Sequence, residues 1–180
     1  DVRPALAEGG GGGECRRHPA PPRGGGRPPG PARAVAALEE AGHRVVVTGG
    51  PAEKELTAGI ADGIALDLGG RTSFPELAGV LAGAAVVVTG NTGPSHLAAA
   101  VGTPVVCLFA PVVPAERWAP YRVPHRLLGR QDAACAGSRA RVCPIPGHPC
   151  LDSVPDTEVL AAVAALLAPG RADDDREEPA

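Results

Sequence analysis

The chain has 180 residues, 25 of them Gly and 21 Pro, with 5 Cys and a net charge of −3. That length admits one domain with a real core and not two. No run nears the roughly 20 apolar residues that span a bilayer, no basic face points to nucleic acid, and the N-terminus lacks a signal-peptide layout.

These exclusions lead to the expectation of a soluble cytoplasmic protein without a transmembrane segment, with a peripheral place at the inner membrane face left open. Five Cys in such a chain do not make the dense framework of a small secreted domain, so reduced thiols are expected. With aromatics at 2% and no Met, the core must be built from Ala, Val and Leu.

Residues 1–31 hold 9 Gly and 7 Pro and read as a low-complexity, unstructured leader. Residues 32–41 are rich in helix formers and stop at Gly42. The β-branched run 44–48 predicts a strand, followed by Gly49-Gly50-Pro51 and a helix to about residue 60. Residues 64–68 predict another strand. Ser73 and Glu76 form a capping-box pattern opening a helix to about 82, and 85–88 predict a third strand.

A turn and a helix closed by Gly102 come next, then the continuous apolar run 104–109, a buried strand. The chain is Pro-rich and irregular to residue 124. Residues 125–128 can add a strand, 130–150 lack periodicity and form a long loop, and 156–167 predict a last helix. Residues 171–180 are an acidic, solvated tail. The alternation defines one α/β domain over 32–170, a Rossmann-like doubly wound parallel sheet with its ligand site at the carboxyl ends of the strands.

The sharpest local signal is Asn91-Thr92-Gly93-Pro94-Ser95-His96 at a strand-to-helix junction. Backbone N–H groups and the positive helix end meet there, as a phosphate site needs. Gly93 allows close approach, Thr92 offers a hydroxyl, and His96 would stand beside an anion. The same residues also suit an ordinary capped helix, with Asn91 or Thr92 as cap and Pro94 near its start. The pattern leaves both readings open.

The run from Val86 to Pro111, followed by Arg117-Trp118-Ala119-Pro120-Tyr121, resembles the C-terminal half of glycosyltransferase family 9, the ADP-heptose:lipopolysaccharide heptosyltransferases. The segments Thr48-Gly49-Gly50-Pro51-Ala52-Glu53, Gly70-Arg71-Thr72-Ser73 and Cys143 to Leu151 resemble family segments in the same order. The resemblance implies one half of a two-domain GT-B fold. It implies a nucleotide-sugar donor, ADP-linked, with the diphosphate held by Thr92, Gly93 and His96. It puts Glu53, after the Thr48-Gly49 turn, at the ribose and Thr72 at the base. Asn91, where heptosyltransferases usually carry Asp, is implied to approach the donor sugar with hydrogen bonds but no charge.

No cofactor is implied, and no catalytic residue in this chain: the base for the acceptor hydroxyl belongs to an N-terminal acceptor half that also binds the glycan or lipid-linked acceptor. The expected activity is inverting transfer, with this chain a truncated donor-binding half, inactive alone. The rival is a non-catalytic nucleotide-binding or interaction module. Cys135, Cys143 and Cys150 are weak metal candidates, because none is paired at the usual zinc spacing; a loop held by burial and hydrogen bonds is the competing reading. Cys107 reads as core.

Overall fold

The computed structural model describes residues 4–7 and 30–168. In chain order it holds β1 (Pro4–Ala7), α1 (Gly30–Glu40), β2 (Val46–Thr48), a 3-10 turn (Pro51–Glu53) running into α2 (Lys54–Ala61), β3 (Leu66–Asp67), α3 (Phe74–Ala82) and β4 (Val86–Gly90). There follow α4 (Gly93–Ala100), β5 (Val105–Leu108), α5 (Ala115–Trp118), β6 (His125–Leu128), α6 (Pro149–Asp152) and α7 (Asp156–Leu167). Every pairing is parallel, in the order β3-β2-β1-β4-β5-β6. The order reverses at β1/β4, which is where open α/β sheets build their ligand crevice.

The expected leader is corrected at one place. Pro4–Ala7 is the central strand, pairing Ala5 with Val46 on one side and with Val87 on the other. The sheet therefore begins at Pro4 and not after residue 31. A proline is tolerated as the first residue of a strand, where no ladder hydrogen bond is required of it. The rest of the leader and the acidic tail lie outside the described residues. A second difference is α5, a single helical turn within the stretch expected to be irregular.

The apolar strands are two-sided, as their unbroken Val runs require. Val86, Val87 and Val88 are all within 2% of complete burial. On one face Val47, Val88 and Val106 pack against Val35 and Leu38 of α1, Ile60 of α2 and Val163 of α7. On the other, Val87, Val105, Cys107 and Phe109 pack against Leu81 of α3 and Ala98 of α4. Each buried Val contributes about 1.5–3 kcal/mol. Cys107 is core, as its apolar strand implied.

Local chemistry fixes the helix ends. Glu76 Oε2 accepts both the Ser73 N–H (2.7 Å) and the Ser73 hydroxyl (2.6 Å), and these bonds hold the Glu76 carboxyl below the ordinary carboxylate range. Gly102, at φ 82°, ends α4 in a left-handed conformation that costs glycine little. Arg33 of α1 meets Asp156 at the start of α7 (Nε to Oδ2 3.0 Å), joining the two helices that cover one face. Among the described residues no helix is long and apolar enough to cross a membrane.

Candidate functional site

Two loops rise from the carboxyl edge on either side of β1. Both follow the same five residues, Val-Val-Val-Thr-Gly, at 45–49 and 86–90. Register places Thr48 and Thr89 at one level, each paired with Ala7. They stand two strand spacings apart, about 10 Å. Both threonines are buried, and the Thr89 hydroxyl has no hydrogen-bond partner among the described residues. The sequence reading singled out Thr48 and passed over Thr89; the repeat itself is the signal that finds it.

The loop after β2 closes on itself. Glu53 Oε2 accepts the Gly50 N–H at 2.6 Å, a cap on its own turn, and the Gly49 carbonyl accepts the Gly70 N–H at 2.8 Å. The latter bond lays the loop after β3 on this turn, bringing Thr72 within two residues of the contact. A Cβ on Gly49 would lie 2.6 Å from Thr57 Cγ2, and one on Gly69 would lie 1.8 Å from Thr57 Oγ1. Glycine is required at both by close packing. Thr48, Gly49, Glu53 and Thr72 thus share one end of the edge, with Glu53 partly committed to its own backbone.

The loop after β4 is open. Thr92 is the N-cap of α4, yet its hydroxyl makes no cap bond; Oγ1 is buried with no partner among the described residues. Leaving such a hydroxyl unpaired costs about 1–3 kcal/mol. Gly93 is exposed at the first helical position, and a Cβ there would meet nothing within 4 Å. His96 is exposed one turn on, its ring 6.2 Å from that of Trp118 at the end of α5. Trp118 is half-exposed and extends this rim toward β5; the sequence reading gave it no role.

Asn91 does something the sequence did not reveal. Its Oδ1 accepts the Ala110 N–H at 3.2 Å and its Nδ2 donates to the Ala110 carbonyl at 3.3 Å. Both polar ends of the side chain therefore face the backbone just beyond β5.

The loop 130–150 is not a solvated excursion. Cys135, Cys143 and Cys150 are all buried, the first two against Ala110 and Val112. Cys143 Sγ donates to the Ile145 carbonyl at 3.2 Å. Burial, and then the nearby Cys135 and Cys143, push the Cys150 thiol above its ordinary range. Among the described residues no group of three or more His, Cys, Asp or Glu is arranged to hold a metal ion. Apolar packing and hydrogen bonds lay the loop against the end of β5, and its far end is the short helix α6.

A parallel sheet that reverses at β1/β4, with an open helix N-terminus over the reversal, defines a Rossmann-like α/β protein. The model of glycosyltransferase family 9 (heptosyltransferase) matches residues 32–148, and the chain belongs to that family. Lipopolysaccharide heptosyltransferase 3 of Escherichia coli K12 is 37% identical over 86 residues, which cover 43% of this chain and 24% of that protein. The crystal structure of a family 9 glycosyltransferase from Veillonella parvula is 18% identical, with a TM-score of 0.68 over 92% of this chain and 46% of that one. The E. coli ADP-heptose lps heptosyltransferase II structure gives 22%, 0.65, and the same two coverages. The chain thus spans about half the length of the solved structures it matches and a quarter of the curated relative. The fold is similar to one half of these GT-B heptosyltransferase structures, as the resemblance implied.

Proposed function

We propose that this chain is the donor-binding half of a heptosyltransferase-like glycosyltransferase that uses an ADP-linked sugar. The observation that carries the reading is the loop after β4. A buried, unpartnered Thr92 hydroxyl and an exposed Gly93 sit at the positive end of α4, where a diphosphate would satisfy them. Thr92, Gly93 and His96 hold the diphosphate in this reading; Glu53, through Oε1, takes the ribose hydroxyls; Thr72, with Thr48 and Gly49 beneath, borders the base. The ADP-heptose named for the E. coli relative supports an adenine nucleotide.

Charge develops on the departing diphosphate during glycosyl transfer. Backbone N–H groups, the Thr92 hydroxyl and the helix end stabilise that charge without moving, and His96 adds to it when protonated. The base that takes the acceptor proton is assigned to a second domain, which also binds a glycan or lipid-linked acceptor such as the lipopolysaccharide of the relatives. The reaction is inverting, takes place at the cytoplasmic side, and is not performed by these 180 residues alone.

Thermal unfolding with ADP, UDP and GDP tests the assignment. ADP is expected to raise the midpoint most, in proportion to the logarithm of its concentration above Kd. Absence of a shift with every nucleotide would favour a non-catalytic module, and sugar transfer at an ordinary enzymatic rate by the chain alone would overturn the half-enzyme reading.

A further inference from the structure

The ladder between β4 and β5 runs from Val87 opposite Val105 to Gly90 opposite Leu108. After Gly90 the main chain of β4 leaves the sheet, and the Thr92 N–H turns back to the Gly90 carbonyl at 2.9 Å. β5 continues straight for two residues more. Phe109 and Ala110 are completely buried, so their peptide groups need partners inside the protein. Phe109 finds them in β6 and in Gln131: its N–H donates to the Leu128 carbonyl at 2.8 Å, and its carbonyl accepts from Gln131 Nε2 at 3.0 Å. Ala110 finds both of its partners in the Asn91 side chain.

We propose that Asn91 is a positioning residue for the phosphate turn, a strut that replaces the departed β4 peptide. This rests on the donor-site reading given above. A side-chain amide carries an acceptor and a donor in one plane, the same pair a peptide group presents. With one N–H and one oxygen lone pair engaged, the amide is held against the end of β5 by two bonds at once. It fixes the point at which the chain turns, and hence where the Thr92 hydroxyl and the Gly93 N–H stand relative to β5.

The chemistry makes the strut sensitive to one isosteric change. An ionised Asp at 91 could still accept the Ala110 N–H but would set a second acceptor, with charge, against the Ala110 carbonyl. Protonated, the same carboxyl supplies an O–H donor and a carbonyl acceptor and reproduces the amide. A carboxyl so placed has its pKa raised, because only its neutral form makes both bonds.

The test compares the full chain with Asn91→Asp, Asn91→Ala and a distant core control, Leu38→Ala, by thermal unfolding and ADP titration between about pH 5 and pH 8. His96 of α4, Glu116 and Arg117 of α5, and Arg130, Asp132, Cys135, Arg139, Arg141, Cys143, His148 and Cys150 of the loop, the titratable and charged groups of the neighbouring segments, are common to all four chains. At about pH 8 Asn91→Asp is expected to unfold earlier than wild type and to bind ADP at least about tenfold more weakly. Toward about pH 5 both deficits shrink. Asn91→Ala keeps its deficits at every pH, and Leu38→Ala loses stability with unchanged ADP affinity.

Deficits in Asn91→Asp that do not vary with pH would overturn the strut. So would an Asn91→Asp chain that binds ADP at about pH 8 as tightly as wild type does. If wild type does not bind ADP, the donor-site reading fails, while the pH profile of unfolding still decides whether the strut exists.

Discussion

The two loops beside β1 follow the same Val-Val-Val-Thr-Gly strand and start at the same level of the sheet, yet they end in opposite states. After β2, Gly49-Gly50-Pro51 leads into a turn that satisfies itself: Glu53 caps Gly50, Gly49 is bound by Gly70, and Thr57 fills the space that Gly49 and Gly69 leave. After β4, Asn91 reaches across the sheet to bond Ala110 through both ends of its amide, and the hydroxyl best placed to cap the helix is left unpaired. The lesson is that a strand motif does not decide a site. The difference lies in the next three residues, which either consume the free groups of the turn or leave them for a ligand.

That contrast can be broken most severely at the strand between the loops. Leu6→Pro removes a ladder donor from the middle of a central strand, and a loss of about 3 kcal/mol or more is expected in urea unfolding, enough to unfold a marginal domain. Gly49→Ala should cost about 1–3 kcal/mol, because the new methyl meets Thr57 Cγ2. Adding Thr57→Ala removes that atom, and a double-mutant cycle should show a coupling of about 1 kcal/mol; strict additivity would mean that the closed loop is not closed by this contact.

Glu53→Ala should lose about 1 kcal/mol as the cap disappears, while Glu53→Gln, which keeps an acceptor, should lose little. The smallest stability effect is expected in the open loop. Thr92→Val should leave the midpoint unchanged or raised by up to about 1 kcal/mol of stability, since it deletes an unpaired hydroxyl, and should weaken ADP binding about fivefold or more. A stability loss there would show that the hydroxyl is bonded in the free protein, and the two loops would no longer differ in kind.

Most of the sheet was legible because its strands are buried on both faces. The runs ending at Thr48, Val88 and Phe109 needed no partner to be recognised, and α7 was bounded by Pro155 and the Pro169-Gly170 pair. β1 was hidden by averaging: four apolar residues stand beside a glycine run, and composition over 31 positions describes the run. The order of the site residues along the edge was also legible, since each follows its strand directly. What a neighbour 19 positions away does was not. Asn91 reads in sequence as a helix cap or a group near the donor sugar, because its partner, the Ala110 backbone, has no side-chain signature. Burial of Cys135, Cys143 and Cys150 is one of the two readings the sequence offers, but where they pack is not legible, because no period announces a loop that folds back onto the end of β5.

The position of β1 has a consequence for how the protein is made. Of the six strands, Pro4–Ala7 comes first in the chain yet must lie between Val46–Thr48 and Val86–Gly90, so its second neighbour is made about 80 residues later. At about 5–20 residues per second, that wait is several seconds or longer. Until β4 is made, β1 can pair only with β2, and the two flanks of the sheet cannot be joined. Assembly is therefore non-local and slow by topology, and the crevice that the reversal at β1/β4 creates is among the last features to exist.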